Sequence, residues 1–134
     1  MQFEVRLPHA PDAVPRARRA LERVSASVDD LTMRNAKLLV SELVTNSVRH
    51  VPTGMTDDIV IVIVRDEARL RVEVRDRGPG FAFRRRVPGQ DPGSGWGLHM
   101  LSTIASRWGV ETDGGARVWF ELDDVADRVG HAAV

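Results

Sequence analysis

The sequence predicts an α+β fold: a two-layer α/β sandwich with helices on one face of a mixed, mostly antiparallel sheet. Three observations carry that expectation. Ile59-Val60-Ile61-Val62-Ile63-Val64 is an unbroken β-branched run, the composition of a strand covered on both faces or nearly so. Arg69 to Asp76 alternates, with Leu70, Val72 and Val74 on one side and Arg69, Arg71, Glu73 and Arg75 on the other. Only Asp66-Glu67-Ala68 separates the two segments, so they should pair antiparallel. Upstream, two stretches repeat their apolar residues at steps of three and four, as amphipathic helices do. Hairpins with helices packed to one side make a two-layer sandwich.

The elements follow in order. Phe3, Val5 and Leu7 alternate with Glu4 and Arg6 as a half-buried strand, which Pro8 and Pro11 end. Asp12 is placed to cap a helix, with Pro15 in its first turn, where amides lack intrahelical partners. Val14, Ala17, Leu21, Val24 and Val28 form the apolar stripe of that helix, and Arg16, Arg19 and Arg23 share another face. Asp29, Asp30 and Thr32 break and cap the chain again. From Met33 to about His50 a second helix carries Ala36, Leu39, Val40, Leu43, Val44 and Ser47 on one broad face, and Val51-Pro52-Thr53-Gly54 closes it. After the two central strands, residues 76 to 95 are rich in glycine and proline and include Arg84-Arg85-Arg86, a length and polarity suited to a lid. Trp96 to about Trp108 reads as a helix burying Leu98, Leu101, Ile104, Ala105 and Trp108. Gly109 to Thr112 and Val118 to Leu122 form a last hairpin around Gly114-Gly115. One domain over residues 1–134 is expected, with its core at about 3–122 and a peripheral tail at 123–134.

Composition narrows the function classes. The chain has 134 residues, no cysteine, and 19 basic against 19 acidic side chains. Disulfide scaffolds, cysteine-bound zinc, thiol nucleophiles and iron–sulfur clusters are therefore excluded. Neutrality argues against a general nucleic-acid or polyanion binder, which needs a basic surplus. Lys37 is the single lysine and every other basic residue is arginine, whose fixed fork suits carboxylates and phosphates; arginine-rich coding would give the same count. The longest apolar run, Ile59 to Val64, is far short of the about 20 residues that span a bilayer. Met1 to Leu7 alternates and carries charge, unlike a signal peptide, so a cytoplasmic protein without membrane contact is expected.

Three constellations carry chemistry. Asp76 continues the parity of Leu70, Val72 and Val74, which aims its carboxylate between sheet and helices. It either caps the Arg77-Gly78-Pro79-Gly80 turn or accepts a hydrogen bond from a ligand amino group, with Gly78 and Gly80 letting the ligand approach. Glu42, Asn46 and His50 recur every four residues and so form one polar row beside the apolar stripe. Such a row is either a solvated edge or a groove lining, where Glu42 offers a base, Asn46 an uncharged oxygen for a hard cation, and Arg49 or His50 a positive charge. Gly93-Ser94-Gly95-Trp96-Gly97-Leu98 opens a helix whose free amides favour an anion, although a flexible loop end would look the same. His9, His99 and His131 have no metal-ligand spacing and read as surface or satisfied histidines. Arg84 to Arg86 either clamp a phosphate or are solvated.

Taken together and in this order, the segments resemble a known family. Glu42 to His50 is similar to the N box of the GHKL ATPases, Asp76 to Gly80 to their first glycine box, and Gly93 to Leu98 to their second. Arg107 to Val110 and Val118 to Leu122 resemble the branch of bacterial anti-sigma factor serine/threonine kinases. The resemblance implies the GHKL (Bergerat) fold with ATP and magnesium as cofactors. It gives Asn46 the magnesium, Asp76 the adenine amino group, and Gly78 and Gly80 the adenine pocket. Gly95, Gly97 and Leu98 would meet the phosphates with backbone amides, Arg49 or His50 would add charge there, and Glu42 would be the general base. It implies phosphorylation of an anti-anti-sigma (STAS-type) protein, sequestration of a sigma factor and a possible homodimer; the Arg16, Arg19 and Arg23 row either docks an acidic partner, as the first helix does in that branch, or is a solvated helix face. Ala116 and Arg117 stand where the family often carries a threonine that helps hold adenine. A regulatory module that acts by partner occupancy alone is the alternative function.

Overall fold

The computed structural model describes residues 1–49, 58–76, 96–112 and 115–124, without the Trp96 side chain. Strands β1 (Gln2–Leu7), β2 (Ile59–Arg65), β3 (Arg69–Asp76), β4 (Arg107–Glu111) and β5 (Ala116–Asp123) form a five-stranded sheet in the order β1-β2-β3-β5-β4. All of its pairings are antiparallel. The sheet is antiparallel throughout, rather than mixed, because the chain leaves β3, passes through α3 (Trp96–Ile104) and runs out along the edge strand β4. It then returns along β5 beside β3. Helices α1 (Ala13–Leu21) and α2 (Asp30–Arg49), joined by a 3-10 segment at Glu22–Ser27, complete the helical layer.

Strand parity decides what this layer covers. Ile59, Ile61 and Ile63 of β2, Leu70, Val72 and Val74 of β3, and Val118, Phe120 and Leu122 of β5 lie in one core with Ala17, Leu21, Leu39, Val40 and Leu43 of the helices. The outer face carries Val60, Val62 and Val64 of β2 but is mostly charged along β3 and β5, as antiparallel sheets allow. There Arg75 Nε donates to Glu73 at 2.6 Å, Arg107 Nε donates to Glu121 at 2.7 Å, and Arg117 pairs with Glu111 at 3.3 Å. Trp119 lies on that face beneath the Arg71 guanidinium, which sits 4.3 Å from the ring centroid. Its ring crosses Gly109, where a Cβ would stand 2.6 Å from the indole Nε1, so glycine is needed there for room. Gly115 is needed for conformation: its φ of 127° opens β5.

Several boundaries differ from the sequence reading, each for a local reason. Asp12 precedes α1 but makes no side-chain capping bond; its carboxylate lies 3.8 Å from Arg16 instead. Helix α1 ends at Leu21, and Val24 and Val28 reach the core from the 3-10 segment and its end. The cap of α2 is Asp29, which accepts from the Thr32 amide and hydroxyl, both at 2.8 Å, so this helix starts earlier than Met33. Helix α3 stops at Ile104 because the Ser106 amide donates to the Glu121 carbonyl at 2.9 Å, which commits the chain to the sheet. Trp108 consequently lies in β4 and is 36% exposed rather than buried.

One end of the helical layer is closed by Arg65. It shares the parity of Ile61 and Ile63 and is pinned at its backbone by Met1, whose carbonyl accepts from the Arg65 amide at 2.8 Å. Its guanidinium forks onto Asp124, with Nη1 to Oδ1 at 3.0 Å and Nη2 to Oδ2 at 2.7 Å, and also reaches the Ser27 carbonyl and hydroxyl. The pair is largely buried, at 9% and 14% side-chain exposure, so removing one partner strands the other charge. Arg65→Ala is expected to lower the unfolding free energy by about 3 kcal/mol. The check is a lower urea midpoint at unchanged m-value.

Candidate functional site

Asp76 closes the opposite end of the layer. As the last residue of β3 it keeps the inward parity of Val72 and Val74 and is only 5% exposed. An ionised carboxylate taken out of water needs donors. Ser47 Oγ donates to its Oδ2, and His9 Nε2 lies 3.2 Å from its Oδ1. Ser47 comes from the inward stripe of α2, one turn beyond Leu43 and Val44. His9 sits at the centre of a tight turn between β1 and α1, closed by the Ala10 amide on the Pro8 carbonyl at 2.9 Å. The His9 backbone is partly exposed, but its ring is 3% exposed.

The hydrogen bond sets the tautomer. An ionised carboxylate only accepts, so Nε2 of His9 carries the hydrogen. Nδ1 is then buried with no partner among the described residues. Leaving such an atom unsatisfied costs about 1–3 kcal/mol.

Beside this cluster runs the polar row of α2. Asn46 is 7% exposed, Glu42 half-buried one turn earlier, and Arg49 exposed at the helix end. The Asn46 carboxamide has no hydrogen bond among the described residues, so its oxygen is unspent. The start of α3 contributes a buried Gly97 and a half-buried Leu98; the first-turn amides of a helix have no intrahelical acceptor. Gly78, Gly80, Gly95, His50 and Arg84 to Arg86 lie outside the described residues. On the far side of the β1–α1 turn is a groove of about 260 Å³ lined by Val5, Leu7 and Ala20 and edged by Arg16, Arg19 and Arg23. Arg23 stacks on Phe3, 3.9 Å from the ring centroid, while Arg19 makes no ion pair among the described residues.

Residues 7–122 match the model of a family described as the histidine kinase-like ATPase domain. The chain belongs to that family. Among curated members of this histidine kinase-like ATPase group, the serine-protein kinase RsbW of Bacillus pumilus (strain SAFR-032) is 26% identical over 145 residues, covering 96% of this chain and 90% of that one. The serine-protein kinase RsbW of Bacillus thuringiensis (strain Al Hakam) is 30% identical over 107 residues, covering 72% of this chain and 66% of that one. A crystal structure of RsbU and RsbW domains from Mycobacterium tuberculosis shares the fold, with a TM-score of 0.69, 22% identity and 91% of this chain covered. This chain spans 31% of that longer one.

For a histidine kinase-like ATPase domain, the donor set suits magnesium better than a protein-caged metal. Among the described residues no three His, Asp or Glu side chains are placed to hold an ion. Magnesium commonly keeps several waters and takes one or two protein oxygens plus substrate phosphates, which the unspent Asn46 oxygen fits. Among the described residues no helix is long and apolar enough to cross a membrane.

The structure brings Asp76, Asn46, Glu42 and Arg49 to the same end of α2, where the sequence spacing placed the α2 residues. What spacing alone missed is His9, read as an isolated histidine. No local pattern signals it: β1 ends at Leu7, and His9 is the central residue of the turn from Pro8 to Ala10. Ser47 lies on the inward face of α2 that the spacing predicts, but spacing alone assigns it no partner. Because it donates to a buried charge, Ser47→Ala should cost about 2 kcal/mol in equilibrium unfolding. Ser102→Ala, at an exposed hydroxyl bonded to the His99 carbonyl at 2.9 Å, should stay within about 0.5 kcal/mol.

Proposed function

We propose that this chain is an ATP-dependent regulatory protein kinase of the cytoplasm. It binds Mg-ATP and transfers the γ-phosphate to a serine or threonine of an anti-anti-sigma (STAS-type) protein, and it sequesters a sigma factor. The observation that carries this reading is the buried Asp76 carboxylate, held by Ser47 of the same helix that presents Glu42 and Asn46, within a matched histidine kinase-like ATPase domain.

The roles follow from the chemistry of each group. Asp76 accepts a hydrogen bond from the adenine amino group, in a pocket shaped by Gly78 and Gly80. The amides of Gly95, Gly97 and Leu98 meet the phosphates, and Arg49 and His50 add positive charge. Asn46 would hold magnesium through its carboxamide oxygen, and the ion would supply charge neutralisation at the phosphates. Glu42 accepts the proton of the partner hydroxyl as its oxygen bonds to the γ-phosphorus. The bond from that phosphorus to the β–γ bridging oxygen breaks, and ADP leaves. An ionised carboxylate within hydrogen-bond reach of an in-line hydroxyl does this work at neutral pH.

The RsbW relatives of the Bacillus species are serine-protein kinases, which supports the reaction class. The arginine-edged groove between β1 and α1 suits an acidic segment of the partner. Arg19→Glu is expected to weaken partner association by at least about tenfold, read by calorimetry, since like-charge contacts at an interface cost several kcal/mol.

The decisive measurement is transfer of labelled phosphate from ATP to a cognate partner. Glu42→Ala should lower that rate by about 100-fold or more while Mg-ATP binding persists. Undiminished transfer in Glu42→Ala removes Glu42 from the base role, and absence of Mg-ATP binding in the parent chain defeats the proposal. One observation favours a second reading, a module that regulates by occupancy alone. Ala116 is the cross-strand neighbour of Asp76 and is buried, and it offers the site no polar side-chain atom. Mg-ATP binding, or partner binding, without transfer to any partner would select that alternative.

A further inference from the structure

We infer that His9 is a positioning residue for base recognition: through its hydrogen bond it sets the plane of the Asp76 carboxylate that meets the nucleotide. The inference rests on the nucleotide site proposed above and adds a residue that lies outside all the motif segments.

A carboxylate held through one oxygen still turns about its Cβ–Cγ bond. Asp76 is held through both, Oδ2 by the Ser47 hydroxyl and Oδ1 by His9 Nε2 at 3.2 Å. These donors come from separate elements, α2 and the turn between β1 and α1, and His9 stands 67 residues from Asp76 in sequence. The strand neighbour Ala116 has no polar side-chain atom to offer. Orientation matters because an N–H donor to a carboxylate prefers the lone-pair directions near the carboxylate plane. A 6-amino group approaching a rotated carboxylate would therefore be met poorly.

A purely space-filling role does not account for the imidazole. The ring is 3% exposed, and a buried aliphatic side chain would occupy the same place without an Nδ1 that lacks a partner among the described residues. The polar ring stands where its other nitrogen reaches Oδ1. The hydrogen bond is the gain that offsets the unsatisfied atom.

The test compares two nucleotides on the full chain. Calorimetry with Mg-ATP and with magnesium purine riboside triphosphate, which lacks the 6-amino group, is run on the parent, His9→Leu and His9→Gln. The parent should prefer ATP. His9→Leu should lose about tenfold in ATP affinity, the size of one charge-assisted hydrogen bond, and almost nothing for the analogue. His9→Gln, whose amide nitrogen can take the place of Nε2, should restore much of the preference. A structural role alone would weaken both nucleotides equally, and that result, or an unchanged ATP preference in His9→Leu, overturns the inference while leaving the nucleotide site standing. If His9→Leu does not fold, His9→Asn serves, because its shorter amide falls short of Oδ1 and should lose the preference in the same way. A parent chain that binds neither nucleotide overturns the proposed site and this inference together.

Discussion

A charge buried between a sheet and its helices has to be met by donors, and Asp76 imposes that requirement on three separate parts of this chain. The end of β3 supplies the carboxylate, the inward stripe of α2 supplies Ser47, and the turn leaving β1 supplies His9. Each donor is held by its own local logic. Helical spacing turns Ser47 inward, and the tight turn closed by the Ala10 amide on the Pro8 carbonyl carries His9 to the carboxylate. The polar row of Glu42 and Asn46 inherits its position from the same arrangement, since Asn46 precedes Ser47 directly. At the other end of the sheet, Arg65 and Asp124 meet the same requirement with a forked ion pair. The apolar core between them is thus closed at both ends by satisfied charge.

Much of this was legible in the sequence, for reasons that differ by element. The β-branched run of β2 and the alternation of β3 have period two, and a short polar turn leaves them only one way to pair. The inward aim of Asp76 follows from that same parity. Helix ends were harder to place. Trp108 carries on the apolar rhythm of α3, and only the backbone bond from Ser106 to Glu121, which no local pattern encodes, takes it into a strand. Asp12 looks like a cap but makes no capping bond, whereas Asp29 does cap, and the two are hard to separate by composition. His9 lies beyond the end of β1, and its role is invisible locally because its bond to Asp76 is tertiary. The glycine-rich boxes, so plain in the sequence, fall largely outside the described residues.

The charge balance also takes on a structural meaning. Many of the arginines of this neutral chain are engaged on the outer face of the sheet, where Arg69, Arg71, Arg75, Arg107 and Arg117 meet Glu73, Glu111, Glu121 and Asp123. Exposed pairs of this kind add little stability. They do keep one whole face from presenting a single sign of charge. The arginines near α1 differ: Arg16, Arg19 and Arg23 edge a groove with an apolar floor and gather positive charge where β1 meets α1. The His9 turn joins this groove to the Asp76 cluster.

The close approach of Gly109 to the Trp119 ring has a consequence for how this chain can vary. The two residues face each other across β4 and β5, and the indole occupies the space a side chain at 109 would need. Neither position is free to change alone. A larger residue at 109 is compatible with this sheet only when 119 gives up its ring, and the guanidinium of Arg71 then loses the surface on which it rests. Among proteins sharing this hairpin, the two sites should drift as a pair, glycine with tryptophan and bulkier residues with smaller partners.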